Sequence, residues 1–304
     1  MAKALEKKIV FYSSTDLKHW EWLSDFGPMG DSEKSWECPD LFQLPTEDGK
    51  KKWVLVISVN WAREQYFVGD FDGKRFIPER PEASPLYVDD GFDYYASRVF
   101  QNFDNPSADD VYTIGWINTW DYATAAPSEW GKGIWSIPRK LSLYSTPDGM
   151  RMRQQPIGSL ATLRKSPIKI NRRLRPGVTK LHAISPFGNV YEMKLAIKTD
   201  KPDICGVNIC SGNGYKVTIS YDSQTKYLVV DRTASTDVSI PKFDRISHTR
   251  IPDKNGILDL DIFVDKSTVE IFVNNGEKTL TMLTYSPDTS TEANLFSLNG
   301  TTEV

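Results

Sequence analysis

The sequence has few of the residues from which metal sites and disulfide frameworks are built. Its 304 residues include three cysteines and three histidines. No two cysteines form a Cys-x-x-Cys pair, and the histidines are scattered singly. Because a structural metal site needs several such ligands at close spacing, no metal site is expected. Cys205 and Cys210 could pair across a hairpin or be two small core residues, and both alternatives stay open.

Positive charge is not in excess either. Lysine and arginine number 37 against 40 acidic residues, which leaves a formal net charge of -3. Nucleic acids and anionic membranes select clustered positive charge, so neither is expected as a partner. No apolar run approaches the roughly 18 residues of a membrane span, and residues 1–8 lack the apolar core of a signal peptide. Oligomeric state and compartment stay open.

Amphipathic helices are nearly absent, and short strands separated by turns take their place. Residues 52–58 and 65–70 are two such apolar runs, so the sequence predicts an all-β protein. A faint repeat supports this reading. The stretch from Phe11 to Trp20 resembles the stretch from Phe67 to Phe76, 56 residues on, with an aspartate in each turn. That period is typical of four-stranded propeller blades.

The composition changes midway along the chain. All nine tryptophans lie between Trp20 and Trp135. Further on, apolar residues alternate with mostly acidic ones over residues 258–265, and residues 269–273 run into a turn at residues 274–276. Such alternation predicts a two-sheet sandwich. We therefore expect a propeller part over residues 1–158, a linker over 159–170 and a sandwich over 171–304.

The first candidate site is the segment 35–42. It puts Glu37 and Asp40 beside Trp36 at the start of an apolar run. Burial against an indole raises the pKa of a carboxyl, as a general acid requires. The alternative is that both acids are solvated charges at the end of a strand.

Two further clusters combine acidic, amide and aromatic side chains. Residues 89–96 include Asp93, which could accept hydrogen bonds from sugar hydroxyls or cap its own turn. Residues 114–123 place Asn118 between Trp116 and Trp120. Indoles cover the apolar faces of sugars, so this mixture suits carbohydrate, with blade-core tryptophans as the alternative. Trp116, inside the strand, is the better core candidate, and Trp120 the better ligand.

Together these motifs resemble glycoside hydrolase family 32. Residues 36–40, Trp-Glu-Cys-Pro-Asp, are similar to the family's acid/base motif, and the other two clusters follow in the family's order. Residues 65–73, 136–139 and 267–274 also resemble family segments at matching places. The resemblance runs from about Lys8 to about Tyr285.

The resemblance implies a five-bladed β-propeller followed by a C-terminal β-sandwich. It also implies hydrolysis, with retention and without a cofactor, of terminal β-fructofuranosyl bonds in sucrose, inulin or levan. Glu37 would be the acid/base, with carbohydrate as the partner. The expected substrate-binding residues are Trp36, Asp93, Tyr95, Trp116, Asn118 and Trp120. Many members are secreted, so an extracellular location is one expectation.

The sequence also departs from the family. The family's nucleophile lies in an Asn-Asp-Pro motif of the first blade, and a second aspartate lies in an Arg-Asp-Pro motif of the next. No aspartate in the 304 residues is followed by proline. We therefore expect an incomplete propeller, lacking the first blade and part of the second, and no activity from the chain alone. The alternative is a non-catalytic fructan-binding protein. Substrate preference, endo or exo action, and hydrolysis or fructosyl transfer stay open.

Overall fold

A computed structural model describes residues 2–81, 84–100, 110–128, 131–181 and 188–304, and for Ala2 only the backbone. Trp130 and His182, which entered the counts above, lie outside these ranges. The described chain is built of β-strands with two short 3₁₀ turns, Ala123–Ala125 and Gly158–Leu163, so the all-β prediction is confirmed. Within the described ranges, no helix has the length and apolar character needed to cross a membrane.

The strands are numbered in chain order. They are β1 Ala2–Leu5, β2 Lys8–Ser13, β3 Glu21–Phe26, β4 Trp36–Pro45, β5 Lys51–Val59, β6 Arg63–Phe71, β7 Phe76–Pro78, β8 Leu86–Tyr87, β9 Tyr95–Val99, β10 Val111–Ile117, β11 Ile134–Trp135, β12 Arg139–Thr146, β13 Gly149–Pro156, β14 Gly177–Lys180, β15 Val190–Thr199, β16 Ile204–Gly212, β17 Tyr215–Asp222, β18 Tyr227–Asp231, β19 Ile246–Arg250, β20 Ile257–Asp265, β21 Thr268–Val273, β22 Lys278–Leu283, β23 Glu292–Ser297 and β24 Thr302–Glu303.

The chain divides into two compact units. The first comprises Met1–Trp120 and Gly133–Ile157, and the second comprises Asp121–Lys132 and Gly158–Val304. The chain therefore leaves the first unit after Trp120 and returns to it at Gly133. Residues 161–170, within the expected linker, are all exposed.

Three antiparallel sheets form the first unit. Their strand orders are β1-β2-β3, then β4-β5-β6-β7 with β8 also on β6, then β11-β10-β12-β13 with β9 also on β10. Apolar side chains between the sheets form two clusters, one around Leu44, Val54 and Tyr94 and one around Ile9 and Leu55. Burial of these faces provides the main favourable free energy of the unit.

The two hairpins that suggested a repeat have the same turn geometry. Asp16 Oδ1 accepts the backbone N–H groups two and three residues later, at 2.8 Å from both nitrogens. Asp72 Oδ1 does the same, at 2.8 and 2.7 Å. An aspartate that bonds the backbone just ahead of it is a local turn device, which is why it repeats with the hairpin.

Two sheets form the second unit, with strand orders β14-β23-β16-β17-β18-β19 and β22-β21-β20-β15-β24. In β20 the burial alternates as the sequence predicted, with Leu258, Leu260, Ile262 and Val264 in the core. The first three residues of the turn after β21, Asn274, Asn275 and Gly276, have positive φ of 48°, 60° and 85°, which asparagine and glycine tolerate. The predicted sandwich and its hairpin are confirmed.

Cys205 and Cys210 are free and fully buried in the sandwich core. Burial raises the pKa of the Cys205 thiol to about 11 and that of Cys210 to about 12. Of the two alternatives, the structure therefore selects small core residues, and the disulfide is wrong.

Asp121 and Tyr122, at the start of the segment Asp121–Lys132, pack within the second unit beside a buried arginine. Arg232 stacks on Phe243, with its guanidinium carbon 3.9 Å from the ring centroid, and donates to the Tyr122 hydroxyl at 2.9 Å. Asp121 accepts from Lys242 at 3.0 Å and from Arg245 at 2.5 Å. Because removal of a partner would leave a buried charge unpaired, these contacts fix the segment firmly.

Candidate active site

The strand that carries Glu37 is interrupted by a bulge one residue later. In the pairing of β4 with β5, Glu37 lies opposite Ser58 and Asp40 opposite Val56, so two residues of β4 oppose one of β5. Pro39 has no N–H to donate to the ladder, and Cys38 has a φ of 48°. The Cys-Pro dipeptide thus ends regular pairing directly after Glu37 and sets the direction of its side chain.

Tyr95 occupies the equivalent place in the next sheet. It is the first residue of β9, and the pairing with β10 shifts between Arg98 opposite Ile114 and Tyr95 opposite Trp116. Ala96 follows with a φ of 51°, as Cys38 follows Glu37. Positive φ is uncommon for residues other than glycine and often accompanies functional sites.

These two positions meet. The Tyr95 hydroxyl donates to Glu37 Oε2 at an O–O distance of 2.6 Å, the range of a hydrogen bond to a charged oxygen. Tyr95 is 1 % exposed, whereas Glu37 is half-buried. Burial and the bond to Glu37 raise the pKa of Tyr95, so the phenol stays protonated and remains a donor. The glutamate therefore combines a fixed oxygen with partial access to solvent.

Two carboxyl groups of the sheet that contains β4 and β6 accept hydrogen bonds from backbone N–H groups of β9. Ser97 donates its backbone N–H to Glu64 Oε1 at 2.8 Å, and Val99 donates to Asp40 Oδ2 at 3.0 Å. Burial raises the pKa of Asp40. Asp40 was considered from the sequence as an acid beside Glu37, and the structure places it as an anchor for β9.

Glu64 is a residue that the sequence analysis missed. It is 1 % exposed, and its Oε1 also accepts the Ser58 hydroxyl at 3.0 Å. Its Oε2 has no hydrogen-bond partner among the described residues. Burial raises its pKa to about 7. A signal was present, because Glu64 shares a strand face with Tyr66 and Val68, two apolar residues that period-two alternation places in the core.

The raised pKa makes Glu64 a source of pH-dependent stability. A carboxyl whose pKa rises from 4.5 to about 7 on folding stabilises the fold fully below about pH 4.5, and this contribution is lost as the pH rises through 7. Between these two limits, the contribution of Glu64 to the free energy of unfolding falls by about 3 kcal/mol. We expect the free energy of unfolding of Glu64→Gln to lack this decline between pH 5 and pH 8.

Urea unfolding at each pH measures this effect, followed by tryptophan fluorescence because most tryptophans lie in the first unit. Glu79→Gln, at an exposed carboxyl, is the matched control and keeps the wild-type profile. Parallel profiles for Glu64→Gln and the wild type would contradict the prediction.

An aromatic wall extends from the Tyr95–Glu37 pair. The rings of Tyr95 and Trp116 lie 6.4 Å apart, and those of Trp116 and Trp120 lie 5.2 Å apart. Trp120 is 58 % exposed, while Trp116 is half-buried. The backbone N–H of Trp120 donates to the Trp61 carbonyl at 3.1 Å, which fixes the end of the segment. The structure therefore brings Glu37, Tyr95, Trp116 and Trp120 together.

The other three predicted residues are buried. Asn118 Oδ1 accepts the Thr119 N–H at 2.8 Å, while its Nδ2 has no partner among the described residues. Asp93 is fully buried in the loop before β9. Trp36 lies in an apolar cluster and donates its indole N–H to the Asp31 carbonyl at 2.8 Å. This packing supports a structural role for Trp36.

A buried ion pair braces the loop that precedes β9. Arg139 donates to Asp89 at 3.0 Å and to Gln154 at 3.1 Å, and its guanidinium carbon lies 4.1 Å from the Tyr94 ring centroid. In the sequence, Arg139 is conspicuous only as the last residue of the family-like segment 136–139. Its partners lie 50 and 15 residues away along the chain, which local patterns do not reveal.

Comparison with known families and proteins matches the whole chain. The model of the glycosyl hydrolases family 32 N-terminal domain matches residues 1–156, and that of the family 32 C terminal matches residues 159–304. The chain is 34% identical over its full length to a levanase of Bacillus subtilis and 31% identical over 97% of its length to an extracellular exo-inulinase of Aspergillus ficuum. It covers 47% and 58% of these proteins, about half of each.

A solved structure agrees. The crystal structure of exo-inulinase from Aspergillus awamori superposes with a TM-score of 0.87 over 98% of this chain and 60% of that chain, at 28% sequence identity.

Proposed function

Because this chain belongs to glycoside hydrolase family 32, we propose that it supplies the acid/base glutamate of a β-fructofuranosidase that hydrolyses sucrose or fructans. The fold is the β-propeller and β-sandwich of its structural neighbours. The division into a catalytic part over residues 1–158 and a sandwich over residues 171–304, like the count of five blades, is part of the proposal.

The observation that carries the proposal is the hydrogen bond between Tyr95 and Glu37. A general acid has to hold its proton near the leaving oxygen and deliver it in the transition state. Tyr95 fixes one oxygen of the half-buried Glu37, which leaves the other oxygen to face the glycosidic bond. After departure of the leaving group, the same carboxylate can take a proton from water.

Retention needs a second carboxylate on the opposite face of the ring, about 5 to 5.5 Å from the first. We assign that role to the family's Asn-Asp-Pro motif, which these 304 residues do not contain. The chain would then carry the protonating half of the site, and the remainder of the protein the nucleophilic half.

The aromatic wall is the proposed binding surface for the sugar. Trp120 presents an exposed indole to an apolar ring face. Asn118 Nδ2 is a donor without a protein partner among the described residues, and such a donor can bind a hydroxyl. Asp93, which is fully buried in the loop before β9, is proposed to accept sugar hydroxyls.

The stereochemistry of the reaction tests the mechanism. A complete protein that contains this chain, given levan or inulin with methanol as an added acceptor, is expected to form the methyl β-fructofuranoside. Two displacements restore the original configuration. NMR spectroscopy of the product distinguishes the anomers, and the α-anomer would rule out retention.

A second candidate function is fructan binding without hydrolysis, favoured by the exposed Trp120 packed against Trp116. In that case the 304-residue chain binds a short fructan, and Trp120→Ala is expected to weaken the affinity about tenfold, the loss of about 1.4 kcal/mol of stacking. Calorimetry measures the dissociation constant. Trp22→Ala, which removes an equally exposed indole from another sheet, is the matched control and should bind as the wild type does.

A further inference from the structure

Glu64 is a fully buried carboxyl two strands away from the proposed acid/base residue in the same sheet, and hydrolysis as proposed above does not use it. We propose that Glu64 is a positioning residue that, through the backbone of β9, holds the Tyr95 hydroxyl against Glu37. The inference deepens the proposed function, since it concerns how the acid/base glutamate is kept in place.

Three adjacent strands align Glu37, Ser58 and Glu64. Glu37 on β4 lies opposite Ser58 on β5, and Ser58 lies opposite Glu64 on β6. Residues paired across adjacent strands project to the same face of a sheet. Glu37 and Glu64 are therefore on one face, with Ser58 between them. The Ser58 hydroxyl donates to Glu64 Oε1 at 3.0 Å and so helps to fix the Glu64 carboxyl.

A hydrogen bond joins Glu64 to a strand of another sheet. Glu64 Oε1 accepts the Ser97 N–H at 2.8 Å, and Ser97 comes two residues after Tyr95. The residue between them, Ala96, has a φ of 51°. The segment is thus irregular where Tyr95 leaves it, so its geometry depends on bonds outside the ladder.

The position of Tyr95 depends on the bond between Glu64 and the Ser97 N–H. Asp40 holds Val99, four residues beyond Tyr95, whereas Glu64 holds the backbone next to the irregular residue. Without an acceptor at Glu64, the buried Ser97 N–H loses its partner. Because an unpaired buried N–H costs free energy, the backbone of β9 is expected to shift. A hydrogen bond of 2.6 Å from a phenol to a carboxylate tolerates little displacement.

Glu64→Met and Glu64→Gln separate this role from simple packing. Methionine fills a similar volume without a comparable acceptor, whereas glutamine keeps a carbonyl oxygen for Ser97. The reporter is the ¹³Cζ resonance of Tyr95 in the 304-residue chain labelled with [ζ-¹³C]tyrosine, because this carbon senses whether the phenol donates to a carboxylate. Tyr95→Phe assigns the resonance, and Glu37→Gln gives its position without the charged acceptor.

We expect Glu64→Met to displace the Tyr95 resonance by at least half of the displacement in Glu37→Gln, and Glu64→Gln to leave it near the wild-type position. The double variant Glu37→Gln/Glu64→Met should differ little from Glu37→Gln, because each change alone already separates the phenol from a charged acceptor and only a bond to a neutral amide is left to lose. Glu79→Gln is the control and should leave the resonance unmoved.

A Tyr95 resonance at the wild-type position in a folded Glu64→Met variant would overturn the proposal, as would additive displacements in the double variant. If Glu64→Met does not fold, Glu64→Gln decides, because a displacement as large as that of Glu37→Gln contradicts the proposal and an unmoved resonance supports it. The assay needs no catalysis, so an inactive chain would leave the test of Glu64 intact.

Discussion

Glu37→Gln, in a protein that contains this chain and the family's two Asp-Pro motifs, is expected to lower the turnover of sucrose or inulin at least about 100-fold, the usual effect of losing a general acid. Glutamine has the shape of glutamate and can still accept the Tyr95 hydrogen bond. The loss would therefore measure proton donation rather than a change of fold. Release of fructose under saturating substrate measures turnover.

The leaving group provides an internal check. An aryl fructoside whose leaving group departs without protonation should lose much less activity in the same variant. Glu79→Gln changes a glutamate on the surface and should retain wild-type turnover on both substrates. If Glu37→Gln hydrolysed sucrose at the wild-type rate, Glu37 would not be the acid/base residue.

The regular parts of the fold could be predicted from sequence because they depend on local chemistry. The apolar alternation in β20 specifies which face is buried, and asparagine and glycine specify the turn after β21. Asp16 and Asp72 repeat because each bonds its own turn. Such signals need no knowledge of distant residues.

The site was only partly predictable because its key contacts join residues that are far apart in the chain. Motif resemblance singled out Glu37 and Tyr95, but their hydrogen bond spans 58 residues. Glu64 escaped notice because a lone glutamate in a strand usually faces water, and its burial is made tolerable by the Ser58 hydroxyl and by the Ser97 N–H from another sheet. Trp36 belongs to the same motif as Glu37, yet its ring lies in an apolar cluster.

The assignment of Asp121–Lys132 to the second unit could not be predicted from the sequence either. Composition suggested one change near residue 158, whereas Asp121–Lys132 also belongs to the second unit. The cause is a set of specific long-range contacts from Arg232, Phe243 and Arg245 to residues 121 and 122. Nothing in the local pattern of residues 121–132 distinguishes a segment with such partners from an ordinary loop.

The 304-residue chain by itself is expected to release no fructose from sucrose, inulin or levan. Glu37 can donate a proton, but no fructosyl-enzyme can form without a carboxylate on the other face of the ring. The carboxyls of Glu64 and Asp40, in the same sheet as Glu37, do not supply this second carboxylate. Glu64 shares a sheet face with Glu37 and is fully buried, and Asp40 is buried against the backbone of β9.

The measurement is fructose release by the purified chain, with the Glu37→Gln chain as a control for contaminating enzymes. Fusing an N-terminal segment that carries the family's Asn-Asp-Pro and Arg-Asp-Pro motifs should produce activity that Glu37→Gln abolishes. The developing positive charge on the ring would then meet a carboxylate that stabilises it. Fructose released by the unfused chain, and absent with Glu37→Gln, would show that these 304 residues contain a nucleophile of their own.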